Sequence, residues 1–189
     1  MKLIVALTLA LASALTQASL PRDSVYHLAA LLQDQDGREN QWAEHRGSVR
    51  IVTMFYSSCP HACPLIVETI KGVEAALSAA ERAKLKVDLL SFDYERDTPA
   101  QLKKIAAQRR IDESRWHLHR ADDAAARRLG GLLGVQYRKL ADGEFNHSSV
   151  LILLDAEGRI LARTDRMGVP DAKFVAAVKR ALAESDRRT

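Results

Sequence analysis

Two cysteines are the residues of this chain most suited to chemistry. Cys59 and Cys63 are its only thiols, and three residues separate them in the stretch CPHACP, in which each cysteine precedes a proline. Two thiols at this spacing can form a structural disulfide, act as a redox switch or hold a soft metal ion. The residues around them discriminate among these three chemistries.

The spacing of the pair argues against a purely structural disulfide. The stabilisation from a cross-link grows with the length of the loop that it closes, and this loop holds only three residues. Thioredoxin-type redox motifs follow the shorter pattern Cys-x-x-Cys, whereas the longer spacing makes a wider loop that suits an ion held between both sulfurs. Thiolates favour soft ions, with Cu(I) foremost and Zn(II) as an alternative, and such a site has room for a further ligand.

An amphipathic helix is predicted directly after the cysteines. Pro64 suits the first helical turn, where its missing N–H is not needed, so Cys63 is predicted to cap the helix. Apolar residues recur at helical spacing as far as Leu77, and we expect the helix to end near Ala83. The positive end of the helix would stabilise a thiolate, which is the form that attacks disulfides and binds metals.

Two of the six histidines lie where they could join the thiols. His61 lies inside the cysteine loop, but ligation by all three residues would strain the turn, so an exposed loop residue remains the alternative. His147, in FNHSS, comes just before the apolar strand VLILLD, and its position alone leaves ligand and loop residue both open. The other histidines are interpreted as surface or packing residues or have no informative context: His27, His45, His117 and His119.

The remaining pattern predicts an α/β fold. Apolar runs at 49–56 and 86–93 are typical of buried strands, and shorter strands are predicted at 115–119, 135–140, 149–155 and 159–164. Helices are predicted at 98–110, 122–133 and 171–184. Alternating strands and helices followed by a hairpin indicate a thioredoxin-like fold: a central mixed sheet flanked by helices, here with an N-terminal extended or hairpin segment that turns at Asp36-Gly37.

Residues 1–18 resemble an export signal, with Lys2 followed by an apolar run and small residues up to Ala18. We expect cleavage after Ala18, with an uncleaved membrane anchor as the alternative, and a single domain over residues 19–189. Export to the periplasm would place the cysteines where disulfides are permitted.

Composition narrows the class of protein further. Charged residues make up 28% and apolar residues 47% of the chain, as in a globular protein. The formal charge is +4, the basic residues are dispersed, and aromatic residues make up only 5%. A nucleic-acid surface needs a denser basic stripe with interleaved aromatic residues, so nucleic-acid binding is not expected.

Three stretches resemble the Sco/SenC family of copper-binding, thioredoxin-like proteins: FYSSCPHACPL, LLSFDYERDTPAQLK and YRKLADGEFNHSSVLILLDAEGRI. The resemblance extends from about residue 25 to 180 and implies that Cys59, Cys63 and His147 bind one copper ion, Cu(I) or Cu(II). Asp93 matches a family aspartate near the metal loop, where it would orient a ligand or tune its charge, or merely cap the strand end. His61 is a departure, since family members often carry an acidic residue in this loop.

The resemblance implies an exported copper chaperone that supplies the dinuclear copper centre of cytochrome c oxidase subunit II. A copper donor chaperone and a thiol reductant would be its further partners, with no nucleic acid and no small-molecule substrate. The alternative is a thiol-disulfide oxidoreductase that uses Cys59 and Cys63 on the oxidase copper site or on other exported proteins. A peroxidase is a weaker alternative, because no arginine motif accompanies Cys59.

Overall fold

The structure, a computed structural model, describes residues 19–59 and 62–187, and of Ala62 and Cys63 it describes the backbone alone. The predicted signal segment at 1–18 and the predicted role of His61 lie outside the described residues. Within the described ranges, no helix is long and apolar enough to cross a membrane.

Apolar runs form the centre of a seven-stranded mixed sheet with the order β2-β1-β5-β4-β3-β8-β9. Strands β3, β4 and β5 run parallel to one another, whereas β8 pairs antiparallel with β3 and the β1–β2 hairpin pairs antiparallel with β5. The predicted mixed sheet with an N-terminal hairpin is therefore confirmed. The strands are β1 (Leu31–Asp34), β2 (Glu39–Gln41), β3 (Arg50–Phe55), β4 (Lys86–Ser91), β5 (Trp116–Arg120), β6 (Tyr137–Lys139), β7 (Phe145–His147), β8 (Leu151–Leu154) and β9 (Ile160–Thr164).

Helices cover both faces of the sheet and bury their apolar stripes against it. On one face, Ile70 of α1 and Val178 of α5 are buried in a cluster with Ile51 of β3. On the other face, Leu129 of α4 packs in a second cluster with Trp42 of the N-terminal segment. The helices are α1 (Ala62–Ala75), α2 (Ala79–Lys84), α3 (Pro99–Gln108), α4 (Asp123–Leu133) and α5 (Ala172–Asp186).

The helix after the cysteines differs from its prediction at both ends. It begins at Ala62, so Cys63 lies in the first turn rather than at the cap. It ends at Ala75, and the residues up to Ala83, which were predicted to continue it, belong in part to the separate helix α2. Ser78 causes this break, because its side chain accepts a hydrogen bond from Glu81 N and caps the new helix.

The predicted helix ends elsewhere are largely confirmed. Thr98 caps α3, with Pro99 in its first turn, and Asp122 caps α4. Gly134 closes α4 with φ of 66°, a left-handed conformation that glycine adopts readily. From the first turns of α3, the side chain of Gln101 donates to Ser57 Oγ at 3.2 Å.

Candidate metal centre

The parallel pairing of β3 and β4 sets the position of the cysteine loop. Phe55 and Ser91, the last residues of the two strands, are register partners, so the segments that follow them emerge side by side. Side chains at the carboxyl ends of neighbouring parallel strands meet at one edge of the sheet. Cys59 follows β3 at this edge, where its N–H donates to Tyr56 O at 3.3 Å and its side chain packs against both core clusters.

Asp97 fixes the turn that leads to Cys59. This carboxylate is fully buried and accepts hydrogen bonds from the backbone N–H of Ser57, at 2.9 Å, and from the hydroxyls of Ser57 and Ser91. Burial raises the pKa of Asp97, although the serine hydrogen bonds act in the opposite direction. The loop after β4 therefore holds the start of the cysteine loop in place.

Tyr56 connects Cys59 to the neighbouring hairpin. Its hydroxyl donates to Glu144 Oε2 at 2.9 Å and is also hydrogen-bonded with the Cys59 side chain. Burial raises the pKa of Tyr56, and both hydrogen bonds raise it further. The phenol consequently stays neutral at physiological pH and keeps a proton to donate.

His147 lies at the end of a hairpin rather than in the predicted loop. Strands β6 and β7 pair antiparallel, with Tyr137 opposite His147. The imidazole packs edge-on against Tyr56, with ring centroids 5.6 Å apart, and lies 5.3 Å from the Phe92 ring. Its Nδ1 is 3.2 Å from the backbone oxygen of Ser148, which can only accept a hydrogen bond, so Nδ1 must carry the ring proton that is donated. In the neutral ring, Nε2 then has the free lone pair that can bind a metal.

Arg96 attaches this hairpin to the loop after β4. Its guanidinium donates to Glu144 Oε1 at 3.1 Å and to the backbone oxygen of Gly143 at 2.9 Å, and its Nε forms an ion pair with Asp93. Asp93 is only 2% exposed, and among the described residues Arg96 provides the donors for its carboxylate. Asp93 thus acts through Arg96 on the hairpin that carries His147.

The structure brings two of the predicted ligands to a common neighbour. Cys59 and His147 both contact Tyr56, one by a hydrogen bond to the hydroxyl and the other by ring packing. Cys63 is placed by its backbone in the first turn of α1, and its predicted role as a ligand, like that of His61, lies outside what the structure describes.

Sequence reasoning missed the residues that join the two predicted ligands. Tyr56, Arg96 and Glu144 all lie within the stretches quoted for the family resemblance, which is the signal that could have identified them. Their hydrogen bonds to one another join residues 48 and 88 positions apart, and no local pattern predicts such contacts.

Comparison with known proteins identifies the family. The family model described as SCO1/SenC matches residues 29–183. The chain belongs to the SCO1/SenC family. A curated relative, the SCO1 protein homolog of Bacillus subtilis, is 23% identical over 145 residues, which are 75% of this chain and 74% of the relative.

Solved structures of Sco proteins share the fold of this family member. Arabidopsis thaliana ScoI with copper bound has a TM-score of 0.68 at 17% identity, over 86% of this chain and 98% of that one. Bradyrhizobium japonicum ScoI with copper bound gives 0.65 at 23% identity, over 85% and 97%. BsSco, described as a member of the Sco family of cytochrome c oxidase assembly proteins and as having a disulfide switch, gives 0.68 at 22% identity, over 82% and 92%.

Proposed function

We propose that this Sco protein is an exported copper chaperone that carries one copper ion on Cys59, Cys63 and His147. The ion is its cargo, destined for the dinuclear copper centre of cytochrome c oxidase subunit II. Family membership and the copper-bound relatives support the choice of metal. The description of BsSco as belonging to a family of oxidase assembly proteins supports the choice of recipient.

The observation that carries the proposal is the meeting of Cys59 and His147 on Tyr56. Two thiolates with one imidazole make a soft ligand set that favours Cu(I) and can also hold Cu(II). Such a low coordination number leaves one side open to an incoming ligand from the recipient. Transfer can then proceed by ligand exchange, without release of free copper.

The surrounding residues position these ligands. Asp97 fixes the turn before Cys59, whereas Arg96 holds the hairpin of His147 through Glu144 and the Gly143 carbonyl. Because these supports come from the loop after β4, that loop sets the separation between thiol and imidazole. Asp93 contributes by fixing Arg96 and is not itself a ligand in this proposal.

Loading requires both thiols to be reduced, because a disulfide offers no thiolate to the metal. In the periplasm, to which the predicted signal at residues 1–18 would direct the chain, thiols tend to become oxidised. The proposal therefore includes a thiol reductant as a partner, besides a copper donor chaperone.

A transfer assay tests this function. The reduced, Cu(I)-loaded chain is mixed with the reduced, metal-free copper domain of an oxidase subunit II at two chains per domain. A one-electron oxidant is then added, and the visible absorption of the mixed-valence dinuclear centre is measured. We expect the centre to form with the unmodified chain and to fail with Cys59→Ser, Cys63→Ser and His147→Ala. His27→Ala is a matched control, because His27 is exposed and contacts the Pro21 carbonyl. Equal formation by His147→Ala and the unmodified chain would contradict the proposal.

A thiol-disulfide oxidoreductase is the second candidate, favoured by the disulfide switch described for BsSco. In this function Cys59 and Cys63 would pass two electrons and two protons to a disulfide of the partner and become a disulfide themselves. A disulfide-exchange assay with an oxidised subunit II domain distinguishes the candidates. Fast exchange that His147→Ala leaves unchanged, without copper transfer, would favour the oxidoreductase.

A further inference from the structure

Three of the six histidines meet in a cleft whose lining residues differ from those of the cleft beside His147. The cleft has a volume of about 260 Å³ and opens between the N-terminal segment and the edge of the parallel strands. Its lining residues are Asp34, Asn40, Glu44, His45, Arg50, His117 and His119. Such a concentration of imidazole and carboxylate groups requires an explanation that the cysteine loop does not provide.

The sheet itself brings the central residues of this cleft together. Asp88 of β4 is the register partner of His117 of β5, and His119 follows two positions later on the same face. His45 ends a short 3-10 helix, Trp42–His45, and its ring lies 4.8 Å from the ring of His119. Three distant parts of the chain therefore contribute to one cluster.

The cluster leaves buried polar atoms without hydrogen-bond partners. His119 is 2% exposed and Asp88 is fully buried. Neither ring nitrogen of His119 has a hydrogen-bond partner among the described residues, and the same holds for Asp88 Oδ1. The 3.4 Å contact between His119 Nε2 and Asp88 Oδ1 is longer than an ordinary N–H···O hydrogen bond. Buried polar atoms of this kind are costly unless something binds them.

The spacing of these atoms suits a metal ion. Ligand atoms of His45, Asp88 and His119 all lie within 4.8 Å of one another. A tetrahedral ion with bonds of about 2.1 Å separates its ligand atoms by about 3.4 Å. The His119 Nε2 to Asp88 Oδ1 distance is also 3.4 Å, and His45 Nδ1 is 3.0 Å from Asp88 Oδ2.

Arg50 is the group that opposes a cation here. Its Nη1 contacts Asp88 Oδ2 and lies 3.0 Å from His45 Nδ1, while its Nη2 donates to the His45 carbonyl. The two carboxylates of Asp34 and Glu44 also line the cleft and outweigh this single positive charge. A bound ion would take the His45 Nδ1 lone pair, and Arg50 would keep its contacts with Asp88 and the carbonyl.

We propose that His45, Asp88 and His119 form a second metal site, selective for a divalent transition ion that prefers imidazole and carboxylate ligands, such as Zn²⁺. This site contains no sulfur, so its preference differs from that of the proposed thiolate centre. His117 also lines the cleft but is not one of the three proposed ligands.

Zinc binding by a chain without the cysteine site tests this assignment. The full chain, free of a histidine tag and carrying Cys59→Ser, Cys63→Ser and His147→Ala, is dialysed against Zn²⁺ buffered by a chelator. We expect one zinc ion per chain. Because even the loss of a residue that only supports a ligand costs 10–100-fold in affinity, the further change His119→Gln is expected to cost at least about 100-fold. The control His27→Gln is expected to leave the affinity unchanged.

X-ray absorption at the zinc edge of the same sulfur-free chain gives an independent readout if His119→Gln does not fold. We expect only nitrogen and oxygen neighbours at about 2.0–2.1 Å, with the scattering of at least two imidazoles. Three results would overturn the proposal: no saturable zinc binding, unchanged affinity in folded His119→Gln, or fewer than two imidazoles at the ion.

Discussion

Replacing Arg96 with methionine tests whether the loop after β4 supports the hairpin of His147. In the folded chain Arg96 supplies the donors for the Asp93 carboxylate and also binds Glu144 and the Gly143 carbonyl. Methionine keeps much of the apolar stem but removes every donor, together with the guanidinium carbon that lies 5.6 Å from the centroid of the Tyr56 ring. The change therefore removes the contacts of the guanidinium and retains the stem.

The expected loss of stability follows from the burial of the two partners. Removing one member of a fully buried ion pair costs about 3–5 kcal/mol, because the other charge is left without a partner. Asp93 is 2% exposed but Arg96 is 36% exposed, so water can reach part of the vacated space. We therefore expect Arg96→Met to lower the free energy of unfolding by about 2 kcal/mol.

Urea denaturation of the reduced, metal-free chain measures this change, with the buried residues Trp42 and Trp116 as fluorescent probes. The matched control is Arg96→Met combined with Asp93→Asn, which removes the stranded charge. We expect the double variant to regain at least about 1 kcal/mol relative to the sum of the single changes. A loss below about 0.5 kcal/mol for Arg96→Met, or strict additivity of the two changes, would show that the pairing of Arg96 with Asp93 does not stabilise the fold.

Three further predictions concern parts of the fold around the site. Ser78→Ala removes the cap of α2, and we expect urea denaturation to show that the free energy of unfolding falls by about 1 kcal/mol. An unchanged free energy would mean that the cap is not needed for the break between α1 and α2. Arg50→Met leaves the fully buried Asp88 without its counter-charge. We expect urea denaturation in the presence of a chelator to show that the free energy of unfolding falls by about 3–5 kcal/mol, and a fall below about 1 kcal/mol would contradict this prediction. Burial raises the pKa of Asp97, so the folded chain favours the protonated carboxyl. The contribution of Asp97 to stability is therefore full below its pKa in the unfolded chain, about 4, and is lost as the pH rises through its pKa in the folded chain. The stability advantage of the unmodified chain over Asp97→Asn is thus expected to shrink as the pH rises above about 4, and a pH-independent difference would exclude this role.

Local patterns predicted the sheet and most helix ends because their causes are local. The β3 run and the Gly134 end of α4 depend on burial and backbone preference that nearby residues express. The break at Ser78 was missed because the alanines and charged residues of α2 are also good helix formers, and only the cap hydrogen bond shows where α2 starts. Strand β7 was missed because it has three residues and no apolar run.

The candidate metal centre could be proposed from residue types and the family motif, but the residues that support it could not be predicted. Cys59 was predicted as a ligand from its residue type, and His147 from its place in the family motif. The link between them through Tyr56 and Glu144 depends on tertiary contacts between residues 88 positions apart. The pairing of His45 with His119 was equally invisible, because one lies in a short helical turn and the other in a strand.

Cu(I) titration of the reduced chain against a competing chelator measures directly whether His147 binds copper together with the two thiolates. We expect one Cu(I) ion per chain, with an affinity at least about 100-fold lower in His147→Ala and unchanged in His27→Ala. Cys59→Ser and Cys63→Ser are each expected to lose tight binding. Equal Cu(I) affinity in the unmodified chain and His147→Ala would show that His147 is not a copper ligand.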